Sequence, residues 1–238
     1  MSHGHAALIS ALTVNPWFAS LPPRLRERMV SRSTLIQLQP GEQLFRQGDM
    51  PRAWYGLVRG EVHLSTLRED GKEHIMSVAE VGNWVGEAAL IVMQPYLNNA
   101  TARGHVEALA LPREAFEELM GDAEFARAVA ILVTGRFRML YVGLYTTSLR
   151  STRARIAQRL LLLAHGDATG TPQARQRVSV SQETLAMMLG ITRQTLNSEL
   201  KWFVQQGILR LGYRSIEVLS ESELHQASEM HDSQAIPG

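Results

Sequence analysis

Residues 181–206, SQETLAMMLGITRQTLNSELKWFVQQ, constrain the fold more than any other stretch of this chain. They read as two short helices joined by a tight turn. In the first, about 182–189, Leu185, Ala186 and Leu189 form an inward face. Gly190 can take left-handed backbone at the turn, Ile191 plugs the angle, and Thr192 is a natural N-cap for the second helix. In that helix Leu196, Leu200 and Phe203 recur at i, i+4 and i+7, which holds it against a core. The opposite face carries Arg193, Gln194, Asn197, Ser198 and Lys201, and no acid falls between 191 and 198. A plain helical hairpin with a solvated face shares this spacing. It does not share the Gly–apolar–Thr turn or the hairpin ILRLGYRSIEVL that follows. The pattern is a winged helix-turn-helix, which implies major-groove DNA reading.

Each side chain then has an expected partner. Arg193 can donate two bonds to guanine, and Gln194 or Asn197 can read adenine. Lys201, Thr192, Thr195 and Ser179 are expected on phosphate. Tyr213 and Arg214, at the hairpin tip, are expected against the DNA backbone. The charge distribution agrees. Residues 148–219 hold 10 Lys/Arg against 4 Asp/Glu, whereas residues 1–147 hold 14 against 15 and residues 220–238 none against 4. A basic surplus confined to the motif's own segment is the footprint of a phosphate-facing surface.

Upstream, the pattern changes. Residues 1–34 carry short helical signals, with Asn15-Pro16 and Pro22-Pro23 as helix starts. From 35 to 112, short apolar runs are broken by glycines at 41, 48, 56, 60, 71, 82 and 86. GEVHLSTLREDGKEHIMSV reads as a hairpin turning at Asp70-Gly71. Short strands at this spacing predict a small β-sandwich or barrel. REAFEELM is a short helix, and DAEFARAVAILVTGRFRMLYVGLYTT a long one. On the long helix Phe125, Val129, Leu132, Met139 and Val142 lie near one stripe, which suits packing along a partner helix; packing on its own β domain is the alternative. Gly135 and Gly143 weaken the helix, and close approach of a partner helix would account for them. STRARIAQRLLLLAHG is a further helix, with Ser151 as N-cap and Gly166 as stop. DATGTPQAR is a loop and QRVSV a short strand. The polar tail from Ser220 is expected to fray.

The fold class is therefore α+β: an N-terminal double-stranded β-helix or jelly-roll sensor domain (1–122), a long dimerisation helix and hinge (123–150), a C-terminal winged helix-turn-helix domain (151–220) and a flexible acidic tail (221–238). There is no Cys. That excludes disulfides, thiolate catalysis, Cys-based zinc sites and cysteine-held iron–sulfur clusters. No apolar run reaches the roughly 18 residues of a spanning helix, and MSHGHAALISAL lacks the basic start and cleavage pattern of a secretory signal. A cytoplasmic protein is expected.

LFRQGD, YGLVRGEVHL, GNWVGE, RIAQRLLLLA and SQETLAMMLGITRQTLNSELKWFVQQGIL, in this order, resemble the CRP/FNR family of bacterial transcription regulators over roughly 15–219. The resemblance implies a cyclic-nucleotide-binding-like β-roll, a dimer helix, a winged helix-turn-helix on a palindromic operator, and RNA polymerase as protein partner. In the family's nucleotide binders a Gly-Glu pair meets the ligand, and Gly86 and Glu87 match it. The Arg-Ser or Arg-Thr that follows aligns with Asn98 and Asn99, which carry no charge for a cyclic phosphate. The adenine-contacting pair of the dimer helix aligns with Leu140 and Tyr141. cAMP in the usual mode is therefore not expected. The pocket is then open to another ligand, to none in an always-on scaffold, or to the apolar segment IVMQPYLNN filling it, with Trp84, Ile91, Met93 and Tyr96 as candidates. Haem ligation would have to come from His63, His74 or His105, each of which reads equally as a surface or strand histidine. In the recognition helix Gln194 stands for the family's Glu and Ser198 for its second Arg, so the half-site should differ.

Two other readings stand beside the regulator. One is a ligand-sensing regulator of the same fold that binds a different nucleotide or haem in the β-roll, or else a sensor or interaction protein with little sequence-specific DNA reading. The other is a cupin-like metalloenzyme, for which His63 and His74 lack the His-x-His spacing; no enzyme activity and no metal site are expected.

Overall fold

The computed structural model describes residues 2–67, 73–147, 151–166 and 175–229, with side chains for all of these except 2, 3 and 142–147. The chain divides into two units, residues 1–135 and 136–238, with the division inside a helix. The expected Asp70-Gly71 turn, most of the loop DATGTPQAR, the end of the tail and the Val142 side chain lie outside what is described.

In the first unit, prolines and a polar cap open the early helices. α1 is Ser2–Leu12, α2 is Pro16–Ser20 and α3 is Pro23–Ser31. Asn15 Oδ1 accepts from Trp17 N at 2.9 Å and caps α2, satisfying a donor that the helix itself leaves open. Among the described residues eight strands follow: β1 (Thr34–Leu38), β2 (Gln43–Phe45), β3 (Ala53–Arg59), β4 (Val62–Leu67), β5 (Glu73–Ala79), β6 (Trp84–Val85), β7 (Asn99–Ala102) and β8 (Val106–Pro112). α4 (Glu87–Val92) lies between β6 and β7. The strands form two antiparallel four-stranded sheets, ordered β1-β8-β3-β6 and β2-β7-β4-β5.

Alternation along the strands gives the first sheet two buried faces. On one face Leu57, Val85, Val106 and Ala108 meet Phe45, Val62, Ala100 and Ala102 of the second sheet. On the other, Trp54, Trp84, Leu109 and Leu111 meet α1–α3, α5 (Arg113–Met120) and the start of α6 (Ala123–Thr147). Trp84 lies so close to β3 that a Cβ at Gly56 would sit 2.5 Å from its ring. Only glycine fits there. Trp17 ties α2 to the long helix: its Nε1 donates to the Ala128 carbonyl at 2.7 Å, and its ring meets Trp54 edge-on at 5.4 Å.

The buried stripe of α6 differs in use from the expected one. Phe125, Val129 and Leu132 are 0%, 1% and 6% exposed and belong to the core of their own unit. The i, i+4, i+7 spacing is that of any packed helix and does not say which partner it meets. Among the described side chains of α6, Ile131, Phe137, Leu140 and Tyr141 are apolar and exposed; Phe137, Leu140 and Tyr141, at i, i+3 and i+4, are neighbours on the helix surface, and Ile131 lies on its other side. Gly135 is exposed and Met139 half-buried.

The second unit contains α7 (Thr152–Ala164), β9 (Arg177–Val178), α8 (Gln182–Leu189), α9 (Arg193–Gln205), β10 (Leu209–Gly212), β11 (Ser215–Val218) and α10 (Glu221–Ser228). The three strands form one antiparallel sheet, β10-β11-β9. Ser151 caps α7, accepting from Ala154 N at 3.2 Å. The segment expected to fray forms α10 over Glu221–Ser228, packed on α7. Ser220 caps it, and Leu224 and Ala227, spaced i, i+3, are 0% and 3% exposed. Polar composition hid a helix that needs only one narrow apolar edge to bury.

Candidate nucleic-acid interface and effector region

The helix-turn-helix is fixed by hydroxyl caps and a glycine. Ser181 Oγ accepts from Thr184 N at 3.0 Å and opens α8. Gly190 ends α8 with φ 63, a left-handed backbone that a side chain would strain. Thr192 Oγ1 accepts from Thr195 N at 3.1 Å and opens α9. The two threonine hydroxyls also lie 2.8 Å apart, so each orients the other. Leu196, Leu200 and Phe203 are each 0% exposed. Burying them holds α9 with its other face outward.

That outer face is a single shallow concavity lined by Arg193, Gln194, Asn197, Ser198 and Lys201. Arg193 also borders a second cleft, shared with Ser181, Gln182 and Glu183 at the start of α8 and with Gly212, Tyr213, Arg214 and Ser215 of the wing. Gln182 and Glu183 were not expected there; their place in the first turn of α8, next to the cap, is the only signal the sequence carries. Ser179 is exposed just ahead of α8. Tyr213 and Arg214 form a two-residue turn between the paired Gly212 and Ser215. Tyr213 is 90% exposed, and Arg214 holds φ 49, an uncommon conformation for a non-glycine residue. Arg177 braces the wing's base, donating through Nε and Nη2 to Ser215 Oγ at 3.1 and 3.0 Å.

Two arginines of α7 reach the motif from behind. Arg155 Nη2 donates to the Leu189 carbonyl at 2.7 Å, satisfying the end of α8. Arg153 Nε donates to Glu199 Oε2 at 2.7 Å, and its guanidinium lies 3.9 Å from the centre of the Trp202 ring.

In the β-roll, Gly86 (φ 103) opens α4 and Glu87 is its buried first residue. Tyr96 lies beside them. Its ring stacks on Phe45 at 3.8 Å and its hydroxyl donates to the Ala53 carbonyl at 3.2 Å. A Cβ on Gly86 would stand 3.4 Å from the Tyr96 ring. Burial, then the neighbouring Tyr55, pushes the Tyr96 phenol well above its usual range. Asn99 Oδ1 accepts from Gln47 N at 2.9 Å, and Asn98 Nδ2 donates to the Asn99 carbonyl at 3.1 Å. Both amides serve the local backbone.

Of the other expected pocket residues, Trp84 faces the helices rather than the interior lined by Val85, because adjacent strand residues point to opposite faces. Ile91 is exposed and Met93 half-buried, the latter ending α4 with φ 50. Leu140 and Tyr141 are exposed residues of the second unit. His63 is 3% exposed, and burial, with Arg103 nearby, lowers its pKa to about 4. His74 is half-buried and His105 exposed. Among the described residues no three His, Asp or Glu side chains group as metal ligands, and no helix is long and apolar enough to cross a membrane.

Comparison with known proteins separates the same two parts. Residues 35–123 match the cyclic nucleotide-binding domain family and residues 154–227 the Crp-like helix-turn-helix domain family. The chain is 27% identical over 194 residues to a CRP-like cAMP-activated global transcriptional regulator of Mycobacterium tuberculosis, covering 79% of this chain and 86% of that protein. It is 27% identical over 213 residues to the cyclic AMP receptor protein of Thermus thermophilus, covering 89% and 96%. Among solved structures, the catabolite activator protein of Thermus thermophilus aligns with TM-score 0.52 at 27% identity, over 90% of this chain and 98% of that one. FixK2 of Bradyrhizobium japonicum shares the fold, with TM-score 0.69 at 20% identity over 83% and 98%.

Proposed function

The chain belongs to the CRP/FNR family of DNA-binding transcription regulators, and on that premise we propose that it reads a palindromic operator as a homodimer, through α9, under the control of something other than cAMP bound in the usual mode. One observation carries the DNA reading: Arg193, Gln194, Asn197, Ser198 and Lys201 share one outward, acid-free face on a helix whose other face is fully buried. A two-fold dimer presents two such helices about one DNA turn apart, which makes the operator palindromic. Arg193 and either Gln194 or Asn197 read bases; Lys201 meets phosphate. Gln194 and Ser198 stand where the cAMP receptor pattern has Glu and Arg, so the half-site is this chain's own. A regulator of this type also meets RNA polymerase, as its second macromolecular partner.

For the dimer, support comes from Phe137, Leu140 and Tyr141, apolar side chains exposed at i, i+3 and i+4 on one helix. Exposed large apolar side chains in a row mark a surface that another protein covers. The partner here is a second copy.

For the effector, the relatives' names specify cAMP, and Gly86 and Glu87 keep part of that site. The Tyr96 ring nevertheless stacks within the β-roll interior beside Gly86, and Asn98 and Asn99 bring no positive charge to a cyclic phosphate. A phosphate buried without a cationic partner is costly. Tyr96 is therefore the group that holds the interior in the absence of cAMP.

Selection from random duplexes, with and without millimolar cAMP, tests the operator reading and the effector assignment together. The expected result is one enriched palindrome, the same under both conditions. No enrichment would leave a sensor of the same fold without sequence reading. Enrichment only with cAMP would overturn the effector assignment.

A further inference from the structure

Helix α9 carries one acid, Glu199. A carboxylate on a DNA-reading helix repels phosphate unless it is turned away and paired. Here it faces α7, where Arg153 Nε donates to it at 2.7 Å, and the two side chains are only 32% and 22% exposed. The same guanidinium lies 3.9 Å over the Trp202 ring. Glu199 and Trp202 are three residues apart and so adjacent on one helix face. Arg153 fills the notch between them with an in-plane hydrogen bond and a ring stack, two contacts of different geometry that a planar guanidinium can make together. Two residues further along α7, Arg155 holds the last carbonyl of α8. The first turn of α7 thus grips both helices of the motif.

We infer that Arg153 is a positioning residue for DNA reading: through Glu199 and Trp202 it fixes the rotation and tilt at which α9 presents Arg193, Gln194 and Asn197 to base edges. The burial of Leu196, Leu200 and Phe203 keeps α9 on the unit with its outer face outward, but apolar burial is non-directional and sets the angle of the helix less sharply than a directional bond does. The charge-assisted bond and the stack are directional. Arg193 lies six residues from Glu199, about 9 Å along the axis, so a small change of angle at the anchor is a large displacement at the side chain that must meet a base. Contacts to base edges fail on such displacements; contacts to a chain of phosphates do not.

This rests on α9 being the DNA-reading element, and the test separates the two. Binding of the full-length protein is measured on its selected duplex and on a scrambled duplex, across a salt series, for the wild type, Arg153→Ala, Arg153→Lys and Glu199→Gln. In Arg153→Ala the ratio of selected to scrambled affinity should fall about tenfold, the value of part of one base contact, over and above the uniform loss on both duplexes that an unpaired Glu199 carboxylate brings. Arg153→Lys keeps the charge facing Glu199 but not the planar stack, and should recover part of the ratio. A folded Arg153→Ala with the wild-type ratio overturns the positioning role. If Arg153→Ala does not fold, the other two variants decide: a lowered ratio supports the role and an unchanged one overturns it. A wild-type protein with no preferred duplex would instead sink the DNA-reading assignment of α9 itself.

Discussion

The Tyr96 ring lies nearly parallel to that of Phe45, 11° between planes and 3.8 Å between centroids, while its hydroxyl reaches the Ala53 carbonyl at 3.2 Å. A side chain from the segment after α4 is thereby built into the interior shared by both sheets. Removing it should leave a hole. Tyr96→Ala is expected to cost about 3–5 kcal/mol, as large-to-small aromatic changes do, and Tyr96→Phe about 1 kcal/mol, for the hydrogen bond alone. Urea unfolding of the two variants checks this. A loss of under 1 kcal/mol in the alanine variant would mean that the ring does not support the β-roll.

Arg193 and Lys201 should fail in different ways. Arg193→Ala is expected to weaken binding to the selected duplex by about 1–3 kcal/mol and to relax preference at one base pair. Lys201→Ala should weaken all sequences alike and reduce the salt slope by about 1. Titrations on a panel of single-base variants, repeated at several salt concentrations, distinguish the two. Equal losses on every sequence would remove Arg193 from the base-reading set.

The two faces of α6 invite a paired experiment. Phe137→Asp places a charge on an exposed apolar side chain; it should leave the β-roll folded and shift sedimentation from dimer to monomer. Phe125→Asp places it in a fully buried position and should prevent folding, because an unpaired charge in a core is costly. A Phe137→Asp protein that remains dimeric would move the subunit contact elsewhere.

His63 predicts an acid limb in the stability curve. Its folded pKa is about 4, against an ordinary 6.5. Between those values the unfolded chain binds the proton and the folded one does not, so stability rises with pH through that window and is level above it. Full neutralisation of the effect corresponds to about 3 kcal/mol between pH 7 and pH 4. Urea midpoints over pH 4–7 for the wild type and His63→Val test it: whatever its absolute stability, the valine protein should lose that part of the slope.

How far the residues disclosed their own arrangement varied with the kind of signal. Thr192, Gly190 and the Leu196–Leu200–Phe203 spacing act within a few residues of themselves, so the helix-turn-helix was legible almost to its caps. Phe125, Val129 and Leu132 were legible as a packed stripe but not as to partner, because periodicity gives a face and never its occupant. Trp84 was misplaced by one step of strand alternation, which in a two-residue strand has no run of neighbours to fix it. Leu224 and Ala227 were lost in a polar segment whose burial depends on α7, more than fifty residues away. Arg153 was invisible for the same reason: its meaning comes from Glu199 and Trp202, which only the fold brings to it.

The bond from Trp17 to the Ala128 carbonyl, with Phe125, Val129 and Leu132 buried beside it, makes the first turns of α6 behave as a fixed mount. A helix held in this way is a beam clamped at one end. Its opening turns cannot swing without breaking an aromatic core, whereas a Cβ at Gly135 would meet open space. A designer who wished to add a helix-favouring side chain to this helix would put it there, not in the mount.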